Sequence, residues 1–330
     1  MNCAVVGAGA WGTALASLLA DNGQSVMLWA HEHEVAHAIN SVHENRRFLS
    51  GVTLHPELRA TNDPKIAVAE AGLVVFAAPS HVLRSVTAAV APFVAADATL
   101  VVATKGIEPG RLALMTDVVA DEIGGRPVVG LSGPSFAAEV AARLPTAVVA
   151  VSRDAAAAQR VQQVFSSPSF RVYTHDDVVG VELAGALKNV MAVATGIADG
   201  LNLGFNARAA LITRGLAEMM RLGAALGASP ATFAGLAGVG DLVLTCTGSL
   251  SRNRSVGLEV GRGAALQDVL AARDTVAEGV TTTQSALALA EREGVEMPIV
   301  TAVHRVLFER QPARWALVEL MQRDLRGEQD

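Results

Sequence analysis

The chain has 330 residues, 51% of them hydrophobic and 18% charged, with one Tyr and three Trp; this is length for about two domains and apolar material enough to exclude intrinsic disorder. Its formal net charge of −6 argues against a general binder of nucleic acid or of anionic membranes, while leaving room for a local cationic pocket. Two cysteines, Cys3 and Cys246, make no disulfide framework and point to a reducing, cytoplasmic compartment.

Residues 1–6 run directly into a glycine motif, with no basic leader and no cleavable apolar core. The most apolar long stretch, 181–198, carries Glu182, Lys188 and Asn189 and reads as too polar to span a bilayer, so no integral membrane protein is expected. In the first half, strands are predicted at 3–6, 25–29, 73–77, 100–103, 128–131, 147–151 and 170–173. Between several of them lie helical patterns, such as 12–22, 81–90 and 155–165. Strands alternating with helices imply βαβ units and a mainly parallel sheet covered on both faces.

The first strand is followed by Gly7-x-Gly9-x-x-Gly12 and then by a helix. Gly7 suits a tight turn, Gly9 lets the backbone approach a pyrophosphate, and Gly12 permits close packing of helix on strand. The helix N-terminus offers unpaired N–H groups to the phosphates. The second strand ends in Leu28-Trp29-Ala30-His31, with no acid at its tip and Glu32 just beyond. A missing carboxylate removes repulsion from a ribose 2′-phosphate, which His31 is placed to contact, so NADP(H) is expected alongside NAD(H). His33 and His37 stand four residues apart, but no third ligand has compatible spacing and no metal is expected.

Further strand ends carry ligand-facing signals, because open α/β sheets bind beyond their carboxyl edges. The Ala77-Ala78-Pro79-Ser80 turn is one, and Lys105 stands at another. The turn 130–137 holds Ser132 and Ser135 outside any G-x-S-x-G setting, which favours backbone contacts over a nucleophile. After a polar connector at 174–177 the strand signal fades. Helical stretches follow at 178–198, 206–227, 281–294, 299–309 and 312–325, with Pro312 at a first helical position. The expected division is therefore 1–177, a nucleotide-binding domain, and 178–330, an all-helical one.

Only three of the 26 cationic residues are lysines: Lys65, Lys105 and Lys188. Arg stays charged in proteins, whereas a desolvated Lys beside other cations loses its proton near neutral pH. Lys188 sits inside an apolar helix, on one stripe with Ala192, Thr195 and Asp199, next to Asn189. It reads as a proton-transfer group, against the plainer reading of a lysine that pairs with a carboxylate or snorkels. The stretch 238–254 reads as a polar loop against the cleft, in which Asp241 holds hydroxyl groups and Arg252 grips a phosphate. Cys246 has no His–Asp setting.

Gly7–Gly12 with Thr13-Ala14-Leu15-Ala16, Ala103-Thr104-Lys105-Gly106-Ile107-Glu108, Gly133-Pro134-Ser135-Phe136-Ala137, Leu187-Lys188-Asn189, Gly240-Asp241-Leu242, Ser251-Arg252-Asn253 and Val276-Ala277-Glu278-Gly279-Val280 follow one another in this order. In that order the chain resembles the bacterial NAD(P)-dependent glycerol-3-phosphate dehydrogenases from residue 3 to about 300. The resemblance implies a Rossmann-type domain followed by a helical domain similar to the 6-phosphogluconate dehydrogenase C-terminal fold. It further implies reversible reduction of dihydroxyacetone phosphate to sn-glycerol 3-phosphate for phospholipid synthesis, by a homodimer. On it, Lys188 donates and accepts the proton, and Lys105, Gly133, Ser135, Asp241, Ser251, Arg252 and Asn253 join it on the substrate. Gly7, Gly9, Ala10, Trp11, Gly12, His31, Lys105, Ala137, Arg252, Val276 and Glu278 face the dinucleotide. Ala10 and Ser135 stand where relatives often carry Ser and Thr, and Ser249-Leu250 lengthen the approach to Arg252. The cations Lys105 and Arg252 are expected to lower the Lys188 pKa while binding the phosphate. Two rival readings are a related dehydrogenase for another phosphorylated or acidic hydroxy compound, such as 6-phosphogluconate, and a non-catalytic NAD(P) sensor.

Overall fold

A computed structural model describes residues 1–273, 275–325 and 327. Among the described residues ten strands are present: β1 (Asn2–Val6), β2 (Ser25–Trp29), β3 (Glu44–Asn45), β4 (Leu49–Thr53), β5 (Arg59–Thr61), β6 (Leu73–Phe76), β7 (Thr99–Val102), β8 (Val128–Ser132), β9 (Thr146–Val151) and β10 (Phe170–His175). Eight form one sheet in the order β10-β9-β8-β7-β6-β1-β2-β5, parallel except between β8 and β9. The helices of this half are α1 (Ala10–Asp21), α2 (His33–Val42), α3 (Pro64–Val68), α4 (Leu83–Val90), α5 (Met115–Glu122), α6 (Ala137–Ala141) and α7 (Ala155–Phe165). The residues of β6 and β7 are buried throughout, and separate apolar clusters cover the two sheet faces; this is why the strands read as continuous apolar runs. The expected α/β class, a Rossmann-like half with a mainly parallel sheet followed by a helical half, is the one observed.

The helical half contains α8 (Val178–Gly200), α9 (Gly204–Ala225), α10 (Pro230–Phe233), α11 (Asp241–Thr247), α12 (Arg252–Gly261), α13 (Leu266–Ala271), α14 (Glu278–Glu293), α15 (Pro298–Phe308) and α16 (Ala313–Met321). Its axis is α8, buried from Gly180 to Ala198. Small residues let α12 lie directly on it: a Cβ at Gly196 would stand 2.1 Å from the Arg254 carbonyl oxygen, and one at Gly257 would stand 2.1 Å from that of Val193. Two backbones in such contact fix the N-terminus of α12, and so Arg252, relative to Lys188.

Several expectations are corrected. The edge strand β5 and the β3–β4 hairpin were not foreseen; they are short and carry no alternating apolar pattern. The helix expected at 81–90 begins as a 3-10 turn, Ser80–Val82, before α4. The loop expected at 238–254 is largely helical: a turn over Leu236–Gly240 kinks at Gly238, then α11 and α12 follow. Glycines and hydroxyl residues lower helix propensity there, but buried Leu242, Thr245 and Cys246 pack α11 into the helical core, and packing overrides propensity. Pro312 is the N-cap of α16 rather than its first residue, and the helix stops at Met321 instead of 325. The segments Val178–Gly200 and Pro230–Thr247 are long and apolar enough to cross a membrane, with mean hydropathy 1.4 and 1.2, against the expectation that 181–198 is too polar. In the first, 89% of the apolar window is buried inside the protein, as a core helix requires.

Candidate active site

The sheet's carboxyl edge and the helical half enclose a cleft of about 390 Å³. At its nucleotide end the chain turns sharply at Gly7, whose φ of +118° favours glycine and whose absent Cβ would meet the Ala78 amide at 2.8 Å. A Cβ at Gly12 would lie 1.9 Å from the Gly7 carbonyl oxygen, so only glycine lets α1 approach the turn this closely. Gly9, the N-cap of α1, has nothing within 4 Å of a Cβ position; this is the open cradle that a pyrophosphate at a helix N-terminus fills. Beside it the buried Trp11 Nε1 has no hydrogen-bond partner, and Trp11 lines the cleft. An orphaned donor next to an open helix end fits the dinucleotide expected here.

Of the residues expected to bind ligand, Ala10, Trp11, Lys105, Ser135, Ala137, Lys188, Ser251, Arg252, Asn253, Val276 and Glu278 line this cleft. Gly7, Gly9 and Gly12 form the turn behind it. Gly133 and Asp241 lie beneath the lining and hold the lysines. His31 is exposed beyond β2, edge-on to Trp29 at 6.1 Å between ring centroids, and is not part of the lining. Sequence reasoning missed Phe48, Leu49, Ser50, Thr245 and Leu250, which also line it. Among the described residues no group of three or more His, Cys, Asp or Glu side chains is arranged to hold a metal ion.

Beneath the cleft lining one carboxylate is shared by two lysines. Lys188 Nζ donates to Asp241 Oδ1 at 2.5 Å and to Thr245 Oγ1 at 2.9 Å. Lys105 Nζ donates to Asp241 Oδ2 at 2.5 Å and to the Gly133 carbonyl at 3.0 Å. Asp241 is 1% exposed. Burial pushes its carboxyl pKa up, but the two ammoniums outweigh burial and hold it below the usual carboxylate range. Burial also lowers Lys188, and Lys105 lowers it further; Asp241 opposes both, and Lys188 settles at about 8. The plain reading of Lys188 as a paired lysine and the reading of a lysine tuned for proton transfer thus describe one arrangement. The charged groups acting most on Lys188 are Asp241 and Lys105, not Arg252, which faces Glu278 and is itself lowered by burial.

Several other polar side chains of the site are already hydrogen-bonded within the protein. Asn253 Nδ2 donates to Asn189 Oδ1 at 2.8 Å, and Gly279 N–H donates to Asn253 Oδ1 at 2.9 Å, an amide chain joining α8, α12 and α14. Ser251 caps α12 by accepting from Arg254 N–H at 3.2 Å, and Ser135 Oγ donates to the Gly133 carbonyl at 2.9 Å. Glu278 accepts from Ser80 N–H at 3.0 Å and from the Ser80 hydroxyl. Cys246 is buried and its thiol is pushed up to about 12, which leaves it inert at neutral pH.

Comparison with known proteins agrees with this architecture. Residues 2–158 match the family described as NAD-dependent glycerol-3-phosphate dehydrogenase N-terminus, and residues 177–318 match its C-terminus. The NAD(P)+ glycerol-3-phosphate dehydrogenase of Geobacter sulfurreducens is 55% identical over 329 residues, covering 98% of both chains. The glycerol-3-phosphate dehydrogenase structure from Coxiella burnetii superposes with a TM-score of 0.94 at 42% identity, covering 98% of this chain and 99% of that one. The enzyme from Saccharomyces cerevisiae superposes with a TM-score of 0.83 at 27% identity, covering 98% and 99%. This chain belongs to the NAD-dependent glycerol-3-phosphate dehydrogenase family.

Proposed function

We propose that the chain catalyses the reversible NAD(P)H-dependent reduction of dihydroxyacetone phosphate to sn-glycerol 3-phosphate, with Lys188 as the proton donor and acceptor. The observation that carries this reading is the Lys188–Asp241–Lys105 triad, its carboxylate and Lys188 buried, in the cleft that also holds the open glycine cradle and Arg252. When bound, the dinucleotide supplies the hydride. Gly7, Gly9, Gly12 and the Trp11 N–H hold it, with Ala10, Ala137, Val276 and Glu278 along its course. Lys188 holds a proton for the substrate's C2 oxygen as negative charge develops there, and takes it back in the oxidative direction. Asp241 orients that ammonium and keeps it charged against the pull of burial and of Lys105. Lys105 and Arg252 supply positive charge for the phosphate, with Gly133, Ser135, Ser251 and Asn253 shaping its seat. Burial between the two halves excludes water from the reacting atoms.

The two free buried cysteines suit a cytoplasmic enzyme, and its product suits phospholipid synthesis. The working unit is a homodimer, and the chain divides at residue 177 into nucleotide-binding and substrate-binding domains. NADPH and NADH are both accepted; no carboxylate stands at the tip of β2 to repel a 2′-phosphate. The test is oxidation of NADPH and of NADH in the presence of dihydroxyacetone phosphate, with unphosphorylated dihydroxyacetone as control. Turnover that requires the phosphate supports the assignment. Dinucleotide binding without turnover would move it to another hydroxy compound or to a sensor.

A further inference from the structure

Asn45 belongs to the β3–β4 hairpin, outside every motif recognised in the sequence, and is 1% exposed. Its Nδ2 donates to the Ala8 carbonyl at 2.8 Å and to Thr13 Oγ1 at 2.8 Å. Thr13 Oγ1 in turn donates to the same carbonyl at 3.2 Å. Asn45 Oδ1 accepts from Phe48 N–H at 3.2 Å, and Phe48, Leu49 and Ser50 edge the cleft. One buried amide therefore joins the glycine loop to the hairpin beside it.

The anchored atom lies in the middle of the Gly7-Ala8-Gly9 turn. The Ala8–Gly9 peptide is trans and planar, so its carbonyl and its N–H point to opposite sides of one rigid unit. Holding the Ala8 oxygen inward turns the Gly9 N–H outward. Glycine at position 9 leaves this peptide free to rotate about its neighbours, and the helix alone does not fix it. We propose that Asn45 is a positioning residue for the dinucleotide pyrophosphate: by holding the Ala8 carbonyl it sets the direction of the Gly9 N–H, and through Phe48 N–H it registers the hairpin edge of the cleft to the same loop.

The inference rests on the dinucleotide reading of the glycine loop. The experiment is calorimetric titration with ADP-ribose, which carries the pyrophosphate and undergoes no redox step, together with KM values for NADH and for dihydroxyacetone phosphate. Asn45→Ala is expected to weaken ADP-ribose about tenfold and to raise the NADH KM in step, because two hydrogen bonds to the loop are lost. The KM for dihydroxyacetone phosphate should stay within about twofold of the parent value on the same argument. Asn45→Asp keeps the shape and the acceptor for Phe48 N–H but turns an oxygen onto the Ala8 carbonyl; it is expected to lose at least as much. A purely structural role would lower the melting temperature and leave both KM values unchanged, and that result would overturn the proposal. Should neither variant fold, Thr13→Val removes the hydroxyl shared by Asn45 and Ala8; about threefold weaker ADP-ribose is expected, and unchanged affinity refutes the idea. Failure of the parent protein to bind ADP-ribose would overturn the cofactor assignment instead.

Discussion

Replacing Asp241 with Asn keeps the side chain's volume and removes the one negative charge shared by Lys188 and Lys105. Both ammoniums lie 2.5 Å from its oxygens, so the variant leaves a buried Lys188 and a half-buried Lys105 without their shared counter-charge. An opposite charge at contact range is worth about one to three pKa units; taken from Lys188 at about 8, this brings it to about 5–7. With Lys188 as the proton donor proposed above, reduction requires its protonated form, so the rate is expected to hold below the Lys188 pKa and fall above it. The falling limb should therefore move from near pH 8 into the range 5–7, and reduction at pH 7.5 should drop steeply. Stability follows with a defined sign. A lysine whose folded pKa is depressed binds fewer protons folded than unfolded between the two values, so stability rises with pH across that window. In the parent protein the window lies between about 8 and 10.5; in Asp241→Asn it opens downward. At low pH the variant should lose about 3–5 kcal/mol, the cost of orphaning a buried ion-pair partner, and recover part of it as Lys188 deprotonates. The assay is the pH profile of NAD(P)H oxidation beside melting temperatures over the same pH range. A falling limb that stays at 8 or moves upward, or a melting temperature indifferent to pH, would refute the electrostatic account of Lys188.

Lys188→Ala should bind NADPH as the parent does and lose about 10²–10⁴-fold in turnover; fluorescence titration and steady-state rates separate the two. Arg252→Ala should raise the KM for dihydroxyacetone phosphate by one to two orders of magnitude, since charge-assisted bonds to anions are worth about 1.5–3 kcal/mol, while the NADH KM changes less; equal effects on both would remove Arg252 from the phosphate seat. Glu218 is 2% exposed and accepts from Ile299 N–H and Val300 N–H at the start of α15, and burial raises it to about 7. Its folded pKa exceeds its unfolded value of 4.5, so its contribution to stability is full below 4.5 and is lost as pH rises through 7. Glu218→Gln should flatten that slope, gaining up to roughly 3 kcal/mol on the parent between pH 5 and 8, measured by thermal melts across the range.

The strands of the sheet were legible because burial on both faces demands continuous apolar residues, as in Leu73–Phe76 and Thr99–Val102. The hairpin was not, because Glu44-Asn45 and Leu49–Thr53 are short and irregularly paired and show no regular alternation, although Leu49, Phe48 and Val52 pack on the core and Asn45 ties the turn to the glycine loop. Lys188 stood out because this chain hardly uses lysine. Asp241 stood out too, as a cleft residue, but not as the lysine's ion-pair partner: nothing in the spacing of 53 residues says that α11 forms and turns that carboxylate onto Lys188. The Asp241–Thr247 stretch reads as loop by composition, so Thr245, one turn along the same helix and bonded to Lys188, went unseen. His31 stands exposed just past β2, edge-on to Trp29 and outside the cleft lining, so its expected contact with the ribose end of the dinucleotide remains a proposal.

The two halves meet through carboxylates that seek helix N-termini. Glu182 of α8 accepts from the Thr116 N–H at 3.0 Å and from its hydroxyl, at the start of α5. Glu278 of α14 does the same for Ser80, at the start of the turn that follows β6. Both acids come from the helical half, and both end on N–H groups of the nucleotide half; at Glu182 the bonds to Thr116 oppose, without cancelling, the burial that raises its pKa to about 7. Glu182 lies six residues before Lys188 on a helix buried along this whole length, so fixing it against α5 fixes the lysine's depth in the cleft. Glu278 ties the dinucleotide side of the cleft to α14, whose Gly279 N–H reaches Asn253 and, through it, Asn189 beside the lysine. The distance from the glycine cradle to Lys188 is thereby set twice, by bonds whose geometry tolerates little slack. Hydride and proton must arrive at adjacent atoms of one substrate, and two independent anchors across the same cleft are the arrangement that demand requires.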